Sequence, residues 1–219
     1  MWFLNSNITI EQAILKILAL LVVVFLILPL HEFAHGFVAY KLGDNTAKYS
    51  GRLSLNPLKH VDPLGTAFLL ITGLFGWAKP VPINALNFKN RKLGIALTAL
   101  AGPASNLIAA ILGGFIFNAL RFLGNAININ ILSFFYFYIY VNIGLAVFNL
   151  LPIPPLDGSM ILSTILPDNI VDVLFKNTYI TMFIIFILIF TNVLTKPLMI
   201  VDEAIFNFII NITSLPFGL

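Results

Sequence analysis

Residues 29 to 43 read PLHEFAHGFVAYKLG, and they follow fourteen uncharged residues at positions 17 to 30. Two histidines and a glutamate therefore stand at the end of an apolar run, where a membrane-spanning helix of about 20 residues would fit. An ionisable side chain at the bilayer centre costs at least about 2.5 kcal/mol on insertion scales, and such residues are functional by default. The stretch thus predicts a spanning helix that carries a functional site.

The composition of the whole chain is that of a membrane protein. Of the 219 residues, 59% are hydrophobic and only 10% are charged, whereas a soluble domain has about 25% charged residues. We predict an all-α polytopic membrane protein surrounded by a lipid bilayer. Residues 1–219 would form a single domain, with a catalytic core at about 10–165 and accessory helices at 166–219.

The ionisable residues narrow the range of functions. The net charge is +3, and the basic residues cluster in two short stretches rather than in an extended patch, so we expect no nucleic-acid partner. There is no cysteine, which excludes a disulfide framework and a thiolate metal site. The oligomeric state is not predictable from these features.

Apolar runs predict about four transmembrane helices. They lie at about residues 10–42, 93–120, 131–151 and 179–194. Residues 198–219 fit either a further half-span or an amphipathic tail. The first thirty residues also resemble a secretory signal, but Glu11 offsets the charge of Lys16 ahead of the apolar run.

Two unusual segments follow the first predicted span. Residues 44–63 combine short alternating pieces with turn residues, which predicts a small β-hairpin. This segment carries Lys48, Arg52 and Lys59, and the positive-inside rule places it on the cytoplasmic side. Residues 64–77 are apolar but too few to span, and basic residues flank them on both sides, so we predict a re-entrant or short interfacial segment.

His31, Glu32 and His35 form the pattern HExxH. On a helix, positions i and i+4 lie about 40° apart on one face, so both imidazoles can bind one Zn²⁺ ion. Glu32 falls beside that face, where it can accept a proton from a water molecule that the metal activates. The alternative, histidines that only bond within a helix bundle, leaves Glu32 unexplained.

A hydrolytic zinc site needs a third protein ligand and one open position. Because cysteine is absent and His60 is the one other histidine, a carboxylate is expected. Asp157 is the best candidate, since it follows a span that ends on the same side as His31 and His35. An ordinary turn at Asp157-Gly158 is the alternative.

HEFAH on an early span and NLLPIPPLDG on a later one resemble the site-2 protease family of intramembrane zinc metalloproteases. The chain is similar to the compact subgroup without a PDZ or CBS domain. The resemblance implies that His31, His35 and Asp157 bind one zinc ion and that Glu32 is the general base. It further implies that Asn149 holds the substrate or stabilises the oxyanion, with a polar residue in helix packing as the alternative. Regulated intramembrane proteolysis of a membrane-protein or transmembrane peptide substrate would then be the function.

Other interpretations stay open at this level. The protein could be a non-catalytic membrane metal-binding or transport protein. It could also be a peptidase that trims prenylated C-termini, with Glu203 as third ligand. His60 is expected at the surface, and Asn106 fits helix packing as well as function; Asp62 has no assigned role.

Overall fold

The computed structural model describes residues 10–72, 76–124 and 127–218. Ten α-helices lie in this part of the chain, together with a π-helical turn at Val23–Ile27 and short 3₁₀ turns. The helices are α1 Ile10–Val22, α2 Leu28–Lys41, α3 Thr46–Tyr49, α4 Pro63–Thr72, α5 Arg91–Phe122, α6 Ile129–Asn149, α7 Asp157–Ser163, α8 Asp168–Lys176, α9 Thr178–Phe190 and α10 Thr195–Ser214.

Four helical segments are long and apolar enough to cross a membrane. They are Ile17–Lys41, Arg91–Phe122, Ile129–Asn149 and Thr195–Phe217. The prediction of a helical, multi-pass membrane protein with about four spans is confirmed. Three of these segments coincide with predicted spans, and the fourth is the segment for which a half-span and a tail were both open.

The fourth predicted span, at residues 179–194, is shorter than expected. Helix α9 ends at Phe190, followed by turn residues in which Asn192 has a φ of 60°. Only together with α8, across a bend of 67°, does it reach spanning length. Pro197 does not interrupt α10, because it lies in the first turn, where a backbone N–H has no helical partner.

The predicted β-hairpin at residues 44–63 is wrong. No β-strand occurs in residues 10–72, 76–124 and 127–218. The polar groups of this loop bond locally instead: Asp44 accepts from the backbone N–H of Thr46, and Asn56 accepts from that of Leu58. Such side-chain caps favour the short helix α3 and a 3₁₀ turn at Pro57–Lys59 over a strand ladder.

The predicted short apolar segment is helix α4, which is about 15 Å long and cannot span. Asp62 caps it by accepting from the backbone N–H of Gly65, at 2.8 Å. Trp77 lies directly against Gly65, where an added Cβ would meet its indole at 2.9 Å. The chain therefore returns to the beginning of α4 after leaving its end.

Helix α5 packs against α2, α6, α7 and α10. Buried aliphatic residues of α1 and the π-helical turn pack on one face of α6, and Ile139 and Ile143 pack on the other side with α5 and α10. Asn149, at the end of α6, borders the same cavity as His31 and His35 of α2. Helix α7, which carries the third predicted ligand, begins shortly after α6.

Candidate metal centre

Helix α2 presents both histidines on one face. His31 and His35 are buried, with exposures of 6% and 7%, and their rings meet edge to face. The two Nε2 atoms are 3.0 Å apart. The π-helical turn immediately before α2 is a feature often found near functional sites.

Asp157, the first residue of α7, lies beside these histidines. Its Oδ2 atom lies 3.3 Å from Nε2 of His31 and 3.4 Å from Nε2 of His35. The chain turns sharply after α6, and Gly158 is required there because a Cβ would collide with the backbone of Leu150. The three side chains form a group able to hold one metal ion, with all ligand atoms within 4.8 Å of one another.

The chemistry of these donors calls for a cation. The Nδ1 atom of His35 lies 2.7 Å from the carbonyl oxygen of Thr98, which can only accept, so Nδ1 carries the proton. In the neutral ring Nε2 then presents a bare lone pair towards Asp157, whose Oδ2 is buried without a hydrogen-bond donor. A second proton or a metal ion must lie between them. This orienting bond is typical of metal-binding histidines.

Asp157 is ionised in this environment. Burial raises the pKa of its carboxyl, but the adjacent imidazoles of His31 and His35 outweigh burial and lower this pKa to about 2. An anionic oxygen beside two imidazole nitrogens suits Zn²⁺, which binds nitrogen and carboxylate oxygen in tetrahedral sites. The residues present therefore fit the zinc ion that the sequence predicted.

Gly102 of α5 makes room for the centre. A Cβ at this position would collide with Nε2 of His35 and lie 2.6 Å from Cε1 and Nε2 of His31. The glycine lies one turn after Thr98, so a single face of α5 both orients one histidine and leaves space for the pair. From the sequence, only Asn106 was singled out in this part of α5, so the role of Gly102 was missed.

Glu32 lies next to the ligands and faces the same cavity, about 290 Å³ in volume. One carboxylate oxygen, Oε2, accepts the backbone N–H of Val81 at 2.8 Å. Asn149, in the last turn of α6, also lines the cavity, and its amide donates to the carbonyl of Leu145 at 2.9 Å. The remaining wall is mostly apolar and includes Ile83, Phe88, Ile95 and Met160.

Every predicted site residue thus borders one cavity, namely His31, Glu32, His35, Asn149 and Asp157. Thr98, Gly102 and Val81 belong to the same place but were not predicted. Two of them act through backbone atoms, for which a single sequence gives no signal. The glycine in a helix, which costs about 1 kcal/mol relative to alanine, was the one signal available.

The other singled-out polar residues lie elsewhere. His60 is buried, with an exposure of 1%, so the expectation of a surface position is wrong. Its Nε2–H donates to the carbonyl of Ser54 at 2.7 Å, and this bond holds the imidazole against the loop that contains Ser54. Asn106 is fully buried, with no hydrogen-bond partner for its amide in the described part of the chain. Glu203 is exposed on α10, outside the metal-binding group.

Comparison with known proteins agrees with this geometry. The model of peptidase family M50 matches residues 112–190, which include Asn149 and Asp157. A Bacillus subtilis protein named "Putative zinc metalloprotease YwhC" is 46% identical over 145 residues, covering 64% of this chain and 66% of that protein. This chain belongs to peptidase family M50. The predicted resemblance to site-2 proteases is thereby confirmed.

Relatives with lower identity occur in mycobacteria. The protein named "Putative zinc metalloprotease Rip2" from Mycolicibacterium smegmatis is 33% identical over 138 residues, covering 60% of this chain and 51% of that protein. Rip2 from Mycobacterium tuberculosis H37Rv is 35% identical over the same length. The chain therefore spans about half to two thirds of the length of these relatives. No solved structure matches it.

Proposed function

We propose that this protein is an intramembrane zinc metalloprotease, which hydrolyses peptide bonds in or near transmembrane segments of membrane-protein substrates. One observation carries the proposal: imidazoles from α2 and a carboxylate from α7 converge on a point beside Glu32, at the end of two membrane-spanning helices. The catalytic unit would comprise about residues 10–165, with residues 166–219 as accessory helices of the same domain.

His31, His35 and Asp157 would hold the zinc ion. When bound, zinc supplies Lewis acidity, which acidifies water and polarises a peptide carbonyl. The charges balance, because two neutral histidines with anionic Asp157 and Glu32 offset a divalent cation. This balance reduces the cost of placing the cluster below the lipid headgroups. The carbonyl of Thr98 would keep His35 in the metal-binding tautomer.

Glu32 would be the general base and acid. Its carboxylate faces the cavity beside the ligands, where it can take a proton from the attacking water and return it to the leaving amine. The bond from Val81 N–H occupies Oε2 and leaves Oε1 for this proton. General acid–base groups of this kind contribute about 10²–10⁴-fold to the rate.

Asn149 would stabilise the developing oxyanion. One N–H of its amide is bonded to the carbonyl of Leu145, and an amide has a second N–H to offer. A neutral donor suits this task in a low-dielectric site, because it stabilises charge without adding any. The position of Asn149 on the cavity wall supports this role.

The active site would lie towards the cytoplasm of a cell-membrane protein. The loops on the side of the metal centre carry Lys48, Arg52 and Lys59, and a second basic group follows at residues 79–92, whereas Arg121 stands at the other end of α5. The chain has no native cysteine, so Tyr49→Cys and Leu123→Cys can report the two sides through an impermeant maleimide. Labelling of Tyr49→Cys from outside intact cells would contradict the orientation.

The activity can be tested on the purified full chain, with metal content measured by mass spectrometry and single-span membrane peptides as substrates. We expect one zinc ion per chain and peptide cleavage. Glu32→Gln should keep the zinc and lower turnover by about 10²–10⁴-fold. A native chain that binds zinc but cleaves no such peptide would contradict the proposal. Metal uptake into liposomes that Glu32→Gln leaves intact would indicate a transport protein instead.

A further inference from the structure

An extended segment lies across the metal centre. Residues 79–84, here called the cover segment, belong to neither a helix nor a strand. Pro80, Val81 and Ile83 of this segment line the cavity that contains the metal ligands. Its one direct bond to the proposed catalytic machinery is the N–H of Val81, which donates to Oε2 of Glu32 at 2.8 Å.

The cover segment cannot hold this position by backbone pairing alone. Pro80 and Pro82 have no N–H, so two of its residues cannot donate to a strand ladder. The segment is anchored instead by groups on the preceding loops. The N–H of Lys79 donates to the carbonyl of His60 at 2.8 Å, and the N–H of Asn84 donates to Oδ2 of Asp44 at 2.7 Å.

Arg52 makes the anchor nearest to Val81. Its Nη2 atom lies 2.6 Å from the carbonyl oxygen of Lys79 and 3.2 Å from that of Pro80. A guanidinium group is planar and carries several donors in a fixed arrangement, so it can hold two neighbouring carbonyls at once. These carbonyls belong to the two residues immediately before Val81.

The fit between the cover segment and α2 is close. Gly36 lies one turn after Glu32, and a Cβ there would meet Cγ1 of Val81 at 3.1 Å and side chains of Ala47 and Leu53 at 3.4 Å. A small displacement of the segment would therefore change the contact with α2. The N–H of Val81 would move with it.

We infer that Arg52 is a positioning residue for the peptidase reaction. It holds the cover segment so that the N–H of Val81 fixes the carboxylate of Glu32 in one orientation beside the metal ligands. Without this bond the glutamate side chain samples several staggered rotamers, and few of them point Oε1 at the attacking water. The inference rests on the function proposed above.

Variants of Arg52 test this role with kcat and KM measured separately. Arg52→Ala should lower kcat by about 10- to 100-fold, the cost of a small misplacement of a catalytic group, with little change in KM or zinc content. Arg52→Lys should give an intermediate kcat, since an ammonium can bond one of the two carbonyls. Added guanidinium ion should restore part of the kcat of Arg52→Ala. A purely structural role would not give this rescue.

Lys59→Ala is the matched control. Lys59 lies in the same loop and donates to the carbonyl of Gly51 at 2.8 Å, but it does not bond to the cover segment. Its removal deletes the same charge and leaves kcat unchanged. Equal losses in Lys59→Ala and Arg52→Ala would show an effect of loop charge and would overturn the positioning role.

A backbone substitution gives a second test that does not depend on how the Arg52 variants fold. Replacing Val81 with its α-hydroxy acid by nonsense suppression removes the N–H and keeps the side chain. We expect kcat to fall to a similar extent, with zinc retained. If the native chain cleaves peptide and the Val81 α-hydroxy acid variant keeps full kcat, the positioning inference is wrong but the proposed function stands. If the native chain cleaves no peptide, the proposed function itself is wrong.

Discussion

Two groups of buried polar side chains lie along α5, and they differ in how their hydrogen bonds are satisfied. Near the end of α5, Asn118 donates to Thr213 Oγ1 at 2.9 Å and to the carbonyl of Ile210 at 3.0 Å, and it accepts from Arg121 at 3.3 Å. Near its beginning, Nε2 of His35 and Oδ2 of Asp157 point acceptor lone pairs at one another, 3.4 Å apart.

The difference separates a structural from a functional polar cluster. Every donor of the Asn118 amide has an acceptor, which is what a buried polar group needs in order to join helices in a bilayer. At the metal centre Nε2 of neutral His35 and Oδ2 of Asp157 are both acceptors and lie 3.4 Å apart, so a cation completes the set. Burial and polarity are alike in the two places, and only the balance of donors and acceptors distinguishes them.

The largest expected effect comes from removing the anionic acceptor. Asp157→Ala should abolish zinc binding and peptide cleavage together, because two imidazoles alone do not make a closed set of three protein ligands. Metal analysis of the purified variant measures this. Asp172→Ala, an exposed aspartate on α8, is the control and should keep both properties. Full zinc occupancy in Asp157→Ala would show that this carboxylate is not a metal ligand, and would contradict the comparison between the metal centre and the Asn118 cluster.

Filling the space that Gly102 leaves beside His31 and His35 should lower zinc binding nearly as much as Asp157→Ala does. Gly102→Ala would push its methyl group into the two imidazoles and displace at least one of them, so we expect loss of zinc with the helices intact. Gly144→Ala is matched to it, since a Cβ there meets its nearest atom at 3.6 Å. Metal content and circular dichroism of the pair are the measurements. Equal zinc content in both variants would contradict the close approach of α5 to α2.

A smaller effect is expected at Asn149. If its amide stabilises the oxyanion, Asn149→Ala should lower kcat by about 10²–10³-fold and leave zinc bound. Asn149→Asp would add a negative charge where one develops and should be at least as slow. Steady-state kinetics on a single-span peptide distinguish these variants from the ligand variants. A kcat within twofold of the native value would assign Asn149 to helix packing.

The smallest effect should come from the Asn118 cluster, in which every amide donor has an acceptor. Asn118→Ala removes bonds between α5 and α10, and such bonds in membrane bundles contribute about 0.6 kcal/mol on average and at most about 1.7 kcal/mol. We expect a modestly lower unfolding temperature in detergent, with unchanged zinc content and kcat. Thr213→Val should give a similar shift, and the double variant should show that the two effects are not additive. Loss of zinc from Asn118→Ala or Thr213→Val would show that the Asn118 cluster and the metal centre are coupled, and would contradict this comparison.

The features that could be predicted from the sequence are those that depend on side-chain type and on hydrophobic periodicity. Apolar runs indicate three of the four spanning segments, and HEFAH with the LDG motif points to His31, His35 and Asp157. The fourth segment is less clear from the sequence, because two prolines and two acidic residues dilute its apolar run. Pro197 lies in the first turn of α10, where proline is tolerated.

The unpredicted part depends on backbone atoms and on space. Nothing in the residue type of Thr98 or Val81 indicates that a carbonyl of one orients His35 and an N–H of the other binds Glu32. The hairpin prediction treats turn residues as the ends of strands. In the structure the same residues, Asp44 and Asn56, cap local turns and leave no ladder to form.

The proposed metal ligands come from α2 and α7, which precede and follow the long α5–α6 pair along the chain. A bound ion is thus a cross-link between two remote stretches of one polypeptide. A molecule cut between α5 and α6 would keep this link, so chelation would loosen the association of its two fragments. Metal content of the centre would in this way measure how much of the two fragments has assembled.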